Sequence, residues 1–263
     1  MNCLSRTIAF PLLIALFLHN AASAQNTDDW QLEKMPVDLE TDYALSALPL
    51  PLRQDATVYL LDPQKGYYIG RQGSNGYVCF VNRTDWEWTQ YRRDLYTAIS
   101  FDPEGAGSIF PVCLDVAAMR ASGKYTAVQI RDTVIQRLHN GIYHAPSKPG
   151  ISYMLSPVMR VYPAGPENNQ PITASMPHYM LYAPYFLPAN ARYKPGTNGL
   201  FLANPDNDIL GDGKGPFGYI IVPAPDKEAA TIREDGQDLL KRLAAYRPYL
   251  KAEPPASGEH HHG

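Results

Sequence analysis

The sequence predicts an α+β fold, a mostly antiparallel sheet with a central helical segment and a C-terminal helix. Three observations predict it. Runs rich in β-branched and aromatic residues gather before residue 82 and again after residue 150. Helical periodicity lies between those two groups and returns near the C-terminus. No repeat at a solenoid period and no strand-helix-strand alternation breaks that order, which argues against a nucleotide fold.

Residues 1–24 read as an export signal: Arg6 in a short polar start, the apolar run Ile8 to Leu18, and Ala22-Ser23-Ala24 as a small-residue cleavage site. That run is about half of the roughly 20 residues a membrane helix needs, so no span is expected once the signal is gone. Residues 25–251 then form one domain, and residues 252–263 a loose polar tail.

Within the domain, Thr41 to Ala47 predicts a short helix that stops before the Pro-rich LPLPLRQ. TVYLL, GYYIGR and GYVCFV, divided by the turn-forming DPQK and QGSN, predict a three-stranded meander over residues 57–82. Tyr77, Cys79 and Val81 should share one face of its last strand. DVAAMRA, opened by Asp115 and stopped by Gly123, is the first clear helical stretch. A longer helix runs from about Ala127 to Asn140. Thr126 and Gln129 form its capping box, Ile130, Val134 and Leu138 repeat every four residues, and Gly141 stops it. ISYMLS, VMRVYP, HYMLY and GYIIVP follow as strands. From Asp226 to about Tyr246 the chain is again helical, with Ile232, Leu239, Leu240 and Leu243 as its buried stripe and Gly236 placed to bend or split it.

TVYLLDPQKGYYIGRQGSNGY, APSKPGISYMLSP and PHYMLYAPY together are similar to a group of exported bacterial proteins with no assigned activity. The resemblance covers roughly Ala44 to Tyr185. It implies a bacterial host and a single domain, and it transfers no catalytic residue, cofactor or substrate.

Without the signal, which holds one Arg and no acid, 22 basic and 26 acidic residues remain, a formal net charge of −4. A mild, scattered acidic balance argues against a nucleic-acid partner and against an anionic membrane surface. Cleavage also discards Cys3, leaving Cys79 and Cys113. In an exporting compartment two thiols tend to pair, and the expectation is a structural disulfide.

Candidate chemistry centres on residues 176–182. An extended backbone there puts Met176, His178, Met180 and Tyr182 on one face. Two thioethers and an imidazole suit Cu(I); the plain alternative is core packing with His178 bonded to a carbonyl. His144, with His139 and His178, offers a zinc-type imidazole set if the fold gathers them, although His139 is also explained by the helix dipole. Ser152 and Ser156 near Lys148 lack any nucleophile elbow. NPDNDILGDGKG carries Asp206, Asp208 and Asp212, a calcium-like composition without the EF-hand order. The His260-His261-His262 tail could hold a metal only loosely.

The expected function is therefore an exported binding domain for an envelope sugar, peptide or protein, using aromatic residues near Tyr153, His178, Tyr182 and Tyr185. The alternatives are a metal-assisted hydrolase built on His144 and His178, and a copper protein built on Met176, His178 and Met180.

Overall fold

The computed structural model describes residues 31–89, 91–162, 170–185, 201–202 and 216–252. Its strands are β1 (Thr57–Asp62), β2 (Gly66–Arg71), β3 (Val78–Asn82), β4 (Thr97–Phe101), β5 (Ile151–Met154), β6 (Met159–Val161), β7 (Ile172–Ala174), β8 (His178–Tyr182), β9 (Phe201–Leu202) and β10 (Tyr219–Pro223). The helices are α1 (Val37–Ser46), α2 (Leu50–Arg53), α3 (Pro103–Ser108), α4 (Phe110–Ser122), α5 (Ala127–His139), α6 (Asp226–Asp235) and α7 (Gln237–Tyr246). No helix among the described residues is long and apolar enough to cross a membrane.

Strand β3 decides the order of the sheet. Val78 and Phe80 enter one core, while Cys79 and Val81 enter another. A strand apolar on both sides belongs in the middle of a sheet covered on both faces. β2, by contrast, exposes Tyr68, Ile69 and Gly70 and lies at an edge. The result is one eight-stranded sheet in the order β2-β1-β3-β4-β5-β8-β10-β9, with β6 and β7 as a separate pair. Every neighbouring pair is antiparallel except β1 with β3. The α+β class with a mostly antiparallel sheet is the observed one.

The meander expected over residues 57–82 is not. β3 bypasses β2 and joins the other side of β1 in parallel. The linking residues cross beneath the start of β1, where the amides of Ser74 and Asn75 donate to the Asp55 carbonyl and that of Gly73 to Thr57 Oγ1. A Cβ on Gly73 would stand 2.2 Å from the Asp55 carbonyl oxygen, so the crossing needs glycine.

Each face of the sheet carries helices. On one, Leu39, Tyr43 and Ala44 of α1 and Leu239 and Leu243 of α7 pack over Val58, Leu60, Cys79, Val81 and Ala98. On the other, Phe110, Val112, Val116 and Met119 of α4 and Ile130 and Val134 of α5 cover Phe80 and Phe101. Burying each such side chain is worth about 1.5–3 kcal/mol. The capping box of Thr126 and Gln129 and the left-handed Gly123 stop are formed as expected. Gly236 splits the C-terminal helix into α6 and α7.

The expected disulfide is corrected by this layering. Cys79 and Cys113 are both free. Cys79 belongs to the core beneath α1, whereas Cys113, on α4, packs against the opposite core. The sheet stands between them.

Two buried arginines organise the irregular stretch from β3 to β4. Arg83 donates through Nε to the Leu95 carbonyl at 2.7 Å and lies 3.5 Å from the centre of the Tyr96 ring. Arg120 of α4 donates to the Arg83 carbonyl at 2.9 Å, to Thr84 Oγ1 at 2.7 Å and to the Arg92 carbonyl at 3.2 Å. A planar five-donor fork suits this task, because it satisfies several loop carbonyls at once.

Candidate functional site

Residues 178–182 form a strand, and the side chains of His178, Met180 and Tyr182 are buried on one face while Leu181 is exposed. Met176 precedes the strand and is 39% exposed, separated from it by Pro177. The expected row of four therefore has three members. His178, only 2% exposed, uses Nδ1 to donate to the Met176 carbonyl at 2.7 Å. Burial lowers its pKa, the carbonyl contact opposing that.

Tyr182 is a structural fastener. Its hydroxyl lies 3.0 Å from Asp102 Oδ1 and 3.0 Å from the Ile151 carbonyl. Asp102 also accepts from the amides of Gly105 and Ile151, both at 2.9 Å, so one carboxylate joins the start of α3 to β5 and β8. A Cβ on Gly105 would lie 2.1 Å from the Tyr182 hydroxyl, and one on Gly150 2.6 Å from its ring.

The imidazole set is not assembled. His144 is exposed in the loop that returns to β5, and its neighbours Ser147 and Lys148 donate to Glu104 of α3. That loop ends at Gly150, whose carbonyl accepts the amide of Tyr182. His178 lies four residues along β8 from there, roughly 13 Å at the usual strand rise. His139 is exposed at the end of α5. Among the described residues no group of three or more His, Cys, Asp or Glu can hold a metal. Ser152 is buried and donates to the Ser100 carbonyl, and Ser156 Oγ faces the Val158 amide. The acidic loop with Asp206, Asp208 and Asp212 and the His260-His261-His262 tail lie outside the described residues.

The four aromatic-site residues do not converge either. His178 and Tyr182 face the α4 side, whereas Tyr153 faces the α1 side and Tyr185 is 65% exposed beyond the end of β8. Tyr153 instead belongs to a different group. Cys79, Ser100, Tyr153 and Tyr179 stand in register across β3, β4, β5 and β8. The small Ser100 leaves room for Tyr77, just before β3, to reach over β4, so the Tyr77 and Tyr153 rings lie 6.2 Å apart. Tyr153 and Tyr179 are 5.8 Å apart in an edge-to-face contact. All three rings are half-buried. They form a continuous aromatic row that ends at α6, whose Glu228 accepts from the Tyr179 hydroxyl. Burial, Tyr77 and Asp102 keep the Tyr153 phenol protonated, and burial with Glu228 does the same for Tyr179.

A second polar group was not anticipated at all. Asp85 and Glu87 flank Trp86 in a 3-10 turn that packs on α5. Asp85 Oδ1 accepts from Asn82 Nδ2 at 3.2 Å, and neither carboxylate makes an ion pair with a described residue. Burial raises the pKa of both, and the charge of Asp85 raises Glu87 further. Cys113 feels the same two carboxylates, and with burial its thiol is pushed up to about 12. The alternation of acid and tryptophan in DWEW is the trace these residues leave in the sequence. The chain matches no family model, no curated protein and no solved structure.

Proposed function

We propose that this is an exported binding domain of the bacterial envelope whose ligand lies along the row of Tyr77, Tyr153 and Tyr179. The observation that carries the reading is the row itself: three half-buried rings in contact, in the register of a rigid sheet. Tyrosine offers an apolar ring and a polar tip at low entropic cost, which suits sugars first and extended peptides second. Stacking on ring faces and edges supplies affinity; phenol hydroxyls and Glu228 supply hydrogen bonds to hydroxyl groups. Sheet residues hold such a site more accurately than loops do.

Titration of the mature protein with envelope glycan fragments and peptides tests this. Tyr153→Ala is expected to weaken the best binder about tenfold or more, the scale of a central aromatic contact. Unchanged affinity in that variant overturns the proposal. A second reading, an acid-base enzyme, is favoured by Asp85 and Glu87 alone, since carboxylates raised by burial are the form a general acid needs at neutral pH. Carboxyl carbon NMR titration separates the readings at this turn: ordinary values for both groups remove the enzyme.

A further inference from the structure

We propose that Met154, His178 and Met180 form a binding site for Cu(I). The site lies on the sheet face opposite the tyrosine row and is independent of it. Strand register brings the three together: His178 of β8 stands directly opposite Met154 of β5, and Met180 opposite Ser152. Directly opposed residues share a face, so the Cβ atoms of Met154 and His178 are roughly 5 Å apart, and Met180 lies about 7 Å further along β8. Two thioethers therefore flank one imidazole. The Met176 side chain, 39% exposed ahead of Pro177, is outside the set.

The imidazole is held as a ligand needs to be. Its Nδ1 lies 2.7 Å from the Met176 carbonyl, and because a carbonyl only accepts, Nδ1 carries the proton and Nε2 keeps its lone pair. Histidine ligands of metals are fixed in this way through their second nitrogen. His178 and Met180 are buried, whereas Met154 is half-buried and marks the side from which an ion enters. Softness then selects the ion. Among the described residues the same face carries Ser152, Ile221 and Pro223 beside these three, and no carboxylate or thiolate. The Ser152 hydroxyl is already given to the Ser100 carbonyl. Zn(II) is held by thiolates, carboxylates or several imidazoles. Uncharged thioethers with one imidazole favour Cu(I).

The test titrates the full mature chain, labelled with carbon-13 at its methionine methyl groups, with Cu(I) under a reductant. The methyl signals of Met154 and Met180 are expected to shift together and to saturate at one equivalent. Met154→Leu and Met180→Leu nearly conserve volume. Each should weaken Cu(I) about tenfold or more against a competing chelator, since losing even an outer partner of a metal ligand costs that much. Met176→Leu should leave the affinity unchanged, because only the backbone carbonyl of Met176 takes part. No Cu(I) binding, or binding that moves neither Met154 nor Met180, overturns the proposal; the second result would assign the ion to the His260-His261-His262 tail or another group. So does an affinity that Met154→Leu leaves intact.

Discussion

Tyr182 shows how a residue that looks like a ligand group can be a fastener. Its hydroxyl is spent on Asp102 and the Ile151 carbonyl, and Gly105 and Gly150 exist to let the ring in. Tyr182→Phe should cost about 1–2 kcal/mol, since Asp102 keeps its two backbone donors while losing the phenol. Gly150→Ala should cost more, about 1–3 kcal/mol, because its Cβ meets the ring and Asp102 Oδ2 at 2.5 Å. Urea unfolding of both variants checks the order, and a Phe variant worse than the Ala variant contradicts it. The two-residue period correctly placed His178, Met180 and Tyr182 together. What that period could not reveal was which face the row joins, because the choice depends on partners distant in sequence.

At the scale of elements, two-sided hydrophobicity orders the sheet. VCFV is apolar at every position, whereas GYYIGR carries two glycines, and that contrast assigns the centre to β3 and the edge to β2. Turn chemistry alone pointed to a meander because it describes the connection and not the neighbour. β4 is hidden for a related reason: TAISF is buried on both faces, so it shows no alternation, and it is recognised by its partners Val78 to Asn82. α4 begins before the expected Asp115, with Pro111 in its first turn. Caps and breakers, being local, were legible: Thr126, Gln129, Gly123 and Gly236 act as read. The layering also makes a prediction about thiols. Cys79, fully buried with its thiol pushed up to about 12, should not react with a maleimide in the native protein, and half-buried Cys113, raised in the same direction, should react only slowly. Both should react in denaturant without reductant, and a missing pair of thiols there would restore the bridge.

At the scale of the whole molecule, three carboxylates with raised pKa values, the buried Glu40 and the half-buried Asp85 and Glu87, set the response to pH. Glu40 of α1 is 2% exposed, and its Oε1 accepts the Leu61 amide at 2.8 Å. Burial nevertheless raises it from 4.5 to about 7. Asp85 and Glu87 move the same way. A group with a raised folded pKa holds more protons folded than unfolded, so its stabilisation is full at low pH and lost as pH rises through the folded value. Glu40 alone implies a loss on the order of 3 kcal/mol between about pH 4.5 and pH 7. His178 works oppositely, because burial lowers its pKa and protonation of the unfolded imidazole favours unfolding below pH 6.5. The three carboxylates outweigh the one imidazole, so the urea midpoint should fall from pH 5 to pH 8, and Glu40→Gln should flatten the slope. A midpoint that rises over that range contradicts the assignment.

The class of fold was readable as a whole because composition and periodicity are distributed along the chain. The site was not, since Tyr77, Tyr153 and Tyr179 come from three separate segments and meet only through strand register. The proposed binding function rests on that meeting. The most direct test follows the ring resonances of Tyr77, Tyr153 and Tyr179 while the mature protein is titrated with its best-binding envelope glycan or peptide. The account predicts that these three move together, with a common saturation, while rings of the α4-side core such as Phe80 and Phe110 stay fixed. Saturable binding that leaves the three tyrosines unmoved would contradict it.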